Sequence, residues 1–187
     1  MFASVSAATL KILFFRAGPD DFPFDSRPNL LLACIGFALL SNAAILSLML
    51  PPGVALMAGA TNTAMLALFT RLSLALRKLD NRFQQTFNAL LTTSSVLTLL
   101  MLPFFAQVAP VWMELGELLR KNPELANHPE QWPAMPKLAV NLLAMLGIWQ
   151  LAVICRIFLL AAGAVVMLAL IGMMFLMVAL QLGATGA

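Results

Sequence analysis

From Leu138 to Leu182 the chain runs for 45 residues with one charged side chain, Arg156, and only three amides, Asn141, Gln150 and Gln181. As a single helix this run would reach about 67 Å at 1.5 Å per residue, more than twice a hydrocarbon core of about 30 Å. It must therefore fold back on itself. The sensible break lies where a charge can reach the headgroups, at Arg156 with Gly163 close behind. This predicts two spans, over residues 138–155 and 158–181. Three further apolar runs precede them, over residues 29–50, 53–76 and 86–106, the first closed by Pro51-Pro52 and the third carrying Pro103 near its far end.

Composition supports the same class. The chain is 61% hydrophobic and 10% charged, whereas soluble domains have about 45–50% apolar and about 25% charged residues. A soluble globular enzyme, a disordered tail, a collagen and a disulfide scaffold are all excluded. The expectation is an all-α, polytopic membrane bundle of five transmembrane helices. Residues 1–28 form a cytoplasmic lead segment, residues 29–187 the membrane domain, and residues 107–137 an outer loop. Cys34 and Cys155 lie in apolar segments far apart, without a CxxC pair, and read as reduced thiols behaving as small hydrophobes.

The basic residues give the orientation. With the N-terminus inside, Lys11, Arg16, Arg27, Arg71, Arg77, Lys78, Arg82 and Arg156 are cytoplasmic, and Arg120, Lys121 and Lys137 lie on the other side. That bias of eight to three is what the positive-inside rule expects, and with an odd number of spans it places the C-terminus on the outer side. The net charge of +3 is thereby a topology signal, and no nucleic-acid partner is implied. Phe2 to Phe15 mixes apolar residues with Lys11, lacks a small-residue cleavage site and reads as an interfacial helix. Residues 17–28 carry three prolines, one glycine and three aspartates, which break any helix. They form an ordered connector whose Phe22 and Phe24 can dip into the interface. In the outer loop, residues 111–121 place Trp112, Leu115, Leu118 and Leu119 on one helical face, with Glu114 and Glu117 ahead of Arg120 and Lys121. This predicts a separate short amphipathic helix on the outer leaflet.

No constellation for catalysis stands out. His128 sits between Asn127 and Pro129 without the spacing of a zinc site. There is no phosphate loop, nucleophile elbow or serine–lysine pair, so the expectation is no enzyme, no cofactor and no metal. Every Asp and Glu falls in a tail or loop, which counts against a proton-coupled carrier. Uncharged polar residues do occur at mid-span: Asn42, Asn62, Ser94, Asn141 and Gln150 form a candidate intramembrane polar cluster. They read either as interhelical glue or as a pocket for a small ligand or lipid headgroup. Ala55, Gly59, Thr63 and Ala67 recur every four residues and form a packing face for a neighbouring helix or protein. Arg71, Arg77, Lys78 and Arg82 are candidate docking residues for acidic lipids or a partner.

The basic turn Arg77-Lys78-Leu79-Asp80-Asn81-Arg82-Phe83 leads into Gln84-Gln85-Thr86-Phe87-Asn88-Ala89-Leu90 and a Ser/Thr-rich span ending in Leu-Pro. With Arg16-Ala17-Gly18-Pro19-Asp20-Asp21-Phe22-Pro23 and the Trp149 to Arg156 segment, this layout resembles the Yip family of five-span membrane proteins in its small bacterial form. The resemblance implies a cytoplasmic N-terminus and a C-terminus on the opposite side. The functional expectation is a non-enzymatic accessory or scaffold subunit acting through helix packing and contacts with membrane lipids and a membrane-protein partner or second copy. The alternative is a small, oligomeric permease or channel-like carrier with a polar uncharged pathway.

Overall fold

A computed structural model describes residues 2–24 and 28–163. Its elements, in chain order, are helices α1 (Phe2–Leu13), α2 (Pro28–Leu46), α3 (Pro52–Ala75), α4 (Phe83–Lys121) and α5 (Lys137–Ala162), joined by short turns of 3-10 helix. No strand occurs among the described residues. Helices α2, α3, α4 and α5 are each long and apolar enough to cross a membrane. Their outward faces fit that solvent: Leu40, Met57, Met145 and Ile148 are all at least two-thirds exposed. Hydrocarbon is as apolar as these side chains, so such faces need no protein cover.

α4 is the centre of the bundle. From Thr86 to Thr93 every residue is buried, which leaves no lipid-facing side over two turns. α2 and α5 flank it, and α3 packs mainly on α2. Helix ends follow the local chemistry. Pro28 and Pro52 stand at first helical positions, where a missing N–H costs nothing and the fixed φ suits the helix. α1 and α3 both close with a Schellman pair. The Arg16 N–H donates to the Lys11 carbonyl and the Phe15 N–H to that of Ile12; Leu79 and Lys78 donate in the same way to Leu74 and Ala75. The left-handed residue in each cap is not glycine, since Phe15 has φ +59° and Lys78 φ +56°.

Two expected boundaries are corrected. The fourth span does not end at Cys155. α5 continues through Arg156 to Ala162 and stops at Gly163, whose φ is +86°. Arg156 needs no helix end because its guanidinium reaches the end of α1. Its Nη2 donates to the Phe15 carbonyl at 2.9 Å and its guanidinium lies over the Phe15 ring, 5.5 Å from the centroid. Residues 158–162, expected in the fifth span, therefore belong to α5, and the rest of that span, residues 164–181, lies outside the described residues.

The second correction concerns residues 107–121. They form no separate helix but extend α4, which passes through Pro103 and Pro110 to a total of 39 residues. Proline removes one helical hydrogen bond, yet Gln107, Val108 and Ala109 supply no stop signal, and Val108 and Ala109 are buried. The Gln107 amide donates to the Pro103 carbonyl at 3.2 Å, and Phe105 meets Trp112 edge-on at 5.7 Å across the proline.

α1 is helical as the sequence implies, but it is more than a surface element. Ala8, Thr9, Ile12 and Leu13 are buried against the bundle. The Trp149 indole donates to the Leu13 carbonyl at 3.0 Å, and Phe14 packs edge-on against Trp149 at 5.6 Å. Trp149 lies 13 residues before the end of α5, about 20 Å along its axis. The connector is ordered by similar ties. Asp21 accepts the Gly18 N–H at 2.8 Å, Asp20 pairs with Arg82 at 3.1 Å, and the Gln85 amide donates to the Phe22 carbonyl at 3.1 Å. Phe22 is consequently buried in protein, while Phe24 stays exposed.

Candidate functional site

The close approach of α3 to α2 sets the geometry of a polar cleft within the bundle. At Gly59 a β-carbon would stand 3.3 Å from Asn42 Cβ, 3.6 Å from the Ala43 nitrogen and 3.6 Å from the Leu39 carbonyl oxygen. Glycine thus lets α3 lie directly on the α2 backbone. Ala55 and Thr63 on the same stripe are buried, and Ala67 is partly buried against the core. The stripe is therefore engaged within the chain, and at Gly59 its neighbour is α2.

That contact brings Asn42 beside the turn of α3 that carries Asn62 and Thr63. α4 adds Ser94, Ser95 and Thr98, and α5 adds Gln150, around a cleft of about 190 Å³. The floor is apolar, with Ala38, Leu66, Leu91 and Ile154. Four of the five residues expected in an intramembrane polar cluster thus converge: Asn42, Asn62, Ser94 and Gln150. Asn141 does not. It precedes Gln150 by nine residues, two and a half turns, and so stands on the opposite side of α5, where it is exposed.

Hydrogen bonding separates the lining groups into two kinds. Thr63 donates to the Gly59 carbonyl at 2.9 Å, Ser95 to Leu91 at 2.6 Å, and the Asn42 amide to Ala38 at 2.8 Å. Such bonds to the preceding turn satisfy a donor in apolar surroundings and leave oxygen lone pairs available. Asn62, Ser94 and Gln150 make no hydrogen bond with any described residue. The amides are not paired with one another. No ionisable side chain lines the cleft.

Sequence reasoning missed Ser95 and Thr98 as cluster members and assigned Thr63 to packing alone. The signal was present: Leu91, Ser94, Ser95 and Thr98 follow the i, i+3, i+4, i+7 spacing of one helical face.

The basic residues lie at the opposite level, at the end of the bundle where α3 passes into α4. Arg71, Arg77 and Lys78 are exposed and make no ion pair among the described residues. Arg82 is drawn into its pair with Asp20. His128 contacts Glu130 at 2.9 Å in an exposed pair, and no cluster of three metal-ligating side chains occurs among the described residues.

Fold and site together define a membrane-embedded α-helical protein with an uncharged polar cleft at mid-height. No family model, curated protein or solved structure matches the chain.

Proposed function

We propose that the protein is a non-enzymatic, multi-pass protein of a bacterial inner membrane, working as an accessory or scaffold subunit through contacts with lipid and with a membrane-protein partner or second copy. The N-terminus is cytoplasmic, the C-terminus periplasmic, and the chain is placed in the Yip family. The observation that carries the functional proposal is the gathering of Arg71, Arg77 and Lys78, exposed and without an ion pair among the described residues, at one end of the bundle. Each cation near an anionic leaflet contributes about 1 kcal/mol of attraction. A partner docking through the Ala55–Ala67 stripe is disfavoured, since Gly59 already faces α2.

Changing Arg71, Arg77 and Lys78 together to glutamine tests the docking role. The amount of phosphatidylglycerol and cardiolipin retained on purification in mild detergent should fall several-fold, as counted by native mass spectrometry. Retention equal to that of the unaltered protein overturns docking at this end. Arg82→Gln serves as the contrast: its partner is Asp20, and it should leave lipid retention nearly unchanged.

A further inference from the structure

We propose that the cleft between α2, α3, α4 and α5 binds a small, uncharged solute that both donates and accepts hydrogen bonds, of the polyol or simple amide class. This goes beyond the accessory role and does not depend on it.

The cleft's level comes first. Asn42 follows Pro28 by 14 residues, Asn62 follows Pro52 by ten, Ser94 follows Phe83 by 11, and Gln150 follows Lys137 by 13. At 1.5 Å per residue these positions lie about 15–21 Å along their helices, near the middle of a hydrocarbon layer of about 30 Å. A polar side chain there that lacks a partner is costly, because lipid offers no hydrogen bond.

None of the described side chains supplies that partner. Within the described residues Asn62, Ser94 and Gln150 have none. Residues 164–180, the remaining apolar stretch, contain no side chain able to form an ordinary hydrogen bond, being built of Ala, Val, Leu, Ile, Gly, Met and Phe. In this proposal a molecule in the cleft supplies the groups that satisfy these three residues.

Its chemistry follows from the inventory. The Asn62 and Gln150 amides each present an NH₂ donor and a carbonyl acceptor, and Ser94 presents a hydroxyl that can do either. Thr63 and Ser95 have committed their protons to their own helices and so offer acceptor lone pairs. A matching ligand carries several donors and acceptors on a small frame. An ion is disfavoured, because no opposite charge lines the cleft to offset the loss of its hydration at this depth. A volume of about 190 Å³ equals roughly six waters at about 30 Å³ each, which suits a solute of a few heavy atoms and excludes a sugar dimer or a lipid chain.

The test uses the full-length protein in lipid nanodiscs and pairs of nearly isosteric probes, read by saturation-transfer NMR. Glycerol and glycerate, acetamide and acetate, and urea and guanidinium differ mainly in charge. Signal is expected from at least one neutral member and not from its charged counterpart. The double variant Asn62→Leu, Gln150→Leu should lose that signal at least tenfold, whereas Asn141→Leu, outside the cleft, should keep it. If the double variant fails to fold, Ser94→Ala must still weaken the same signal. The inference is overturned by equal signals from charged and neutral members, by a neutral-probe signal that survives the cleft variants, or by no signal from any neutral probe. None of these outcomes bears on lipid retention, so the accessory role stands or falls separately.

Discussion

Arg156→Ala should detach the C-terminal end of α1 from the bundle and increase tryptic cleavage after Lys11 and Arg16 by tenfold or more. Two contacts vanish together in this variant: the bond from Nη2 to the Phe15 carbonyl at 2.9 Å and the guanidinium's position over the Phe15 ring. A hydrogen bond with a charged partner contributes about 1.5–3 kcal/mol, and an exposed cation–π contact about 0.5–1 kcal/mol. Phe15 is also held in the left-handed region at φ +59°, a conformation that costs an L-residue roughly 1–2 kcal/mol. Without the clamp, the cap is free to relax. When opening is fast relative to cleavage, proteolysis tracks the open population, and each 1.4 kcal/mol corresponds to about a factor of ten. Arg156→Lys should recover part of the protection, since lysine can reach a carbonyl but lacks the planar cation that stacks. Cleavage rates unchanged in Arg156→Ala would mean that Ile12, Leu13 and Trp149 hold α1 unaided.

Asn88→Leu should raise the thermal midpoint of the purified protein. Asn88 is fully buried in the second turn of α4, and neither its Oδ1 nor its Nδ2 has a partner among the described residues. Leaving a buried amide unpaired costs about 1–3 kcal/mol, and an apolar side chain of similar volume removes that cost. The gain should therefore reach about 1–3 kcal/mol, several degrees by thermal-shift fluorescence. The opposite outcome, a lowered midpoint, would show that the amide is bonded to water or to a group outside the described residues. Thr86, two residues earlier in the same helix and with a buried hydroxyl that has no partner among the described residues, gives a smaller version of the experiment as Thr86→Val.

Both predictions concern features that sequence patterns express poorly. The apolar runs showed where α2 and α3 lie because prolines mark their first turns. Arg156 looked like a helix end because its partner, the Phe15 carbonyl, is 141 positions away. Only tertiary contact explains why a charge can stay inside a helix there. The proline pair in α4 misled for a related reason. Pro103 and Pro110 break isolated helices, but this one packs against α2 and α5 and carries buried Val108 and Ala109 between its two prolines.

The candidate cleft was half legible. Mid-span position selected Asn42, Asn62, Ser94 and Gln150, which line one cleft, since depth can be counted along a helix. Angular position selects among residues at similar depth, and it excludes Asn141 while admitting Ser95 and Thr98. Which face of α3 meets α2 depended on Gly59, and small residues every four positions announce a close approach without naming the neighbour. The basic residues are a similar case. Charge counting placed Arg71, Arg77, Lys78 and Arg82 on one side together, but only the structure separates Arg82, paired with Asp20, from the other three.

The membrane arrangement underlies every inference drawn from depth, and single-cysteine labelling tests it most directly. In a background with Cys34 and Cys155 changed to alanine, Lys78→Cys and Asn122→Cys sit at the two ends of α4, between them a helix of 39 residues. A membrane-impermeant maleimide should modify position 78 only from the cytoplasmic face of sealed vesicles and position 122 only from the opposite face. Labelling of both positions from the same face would contradict the account.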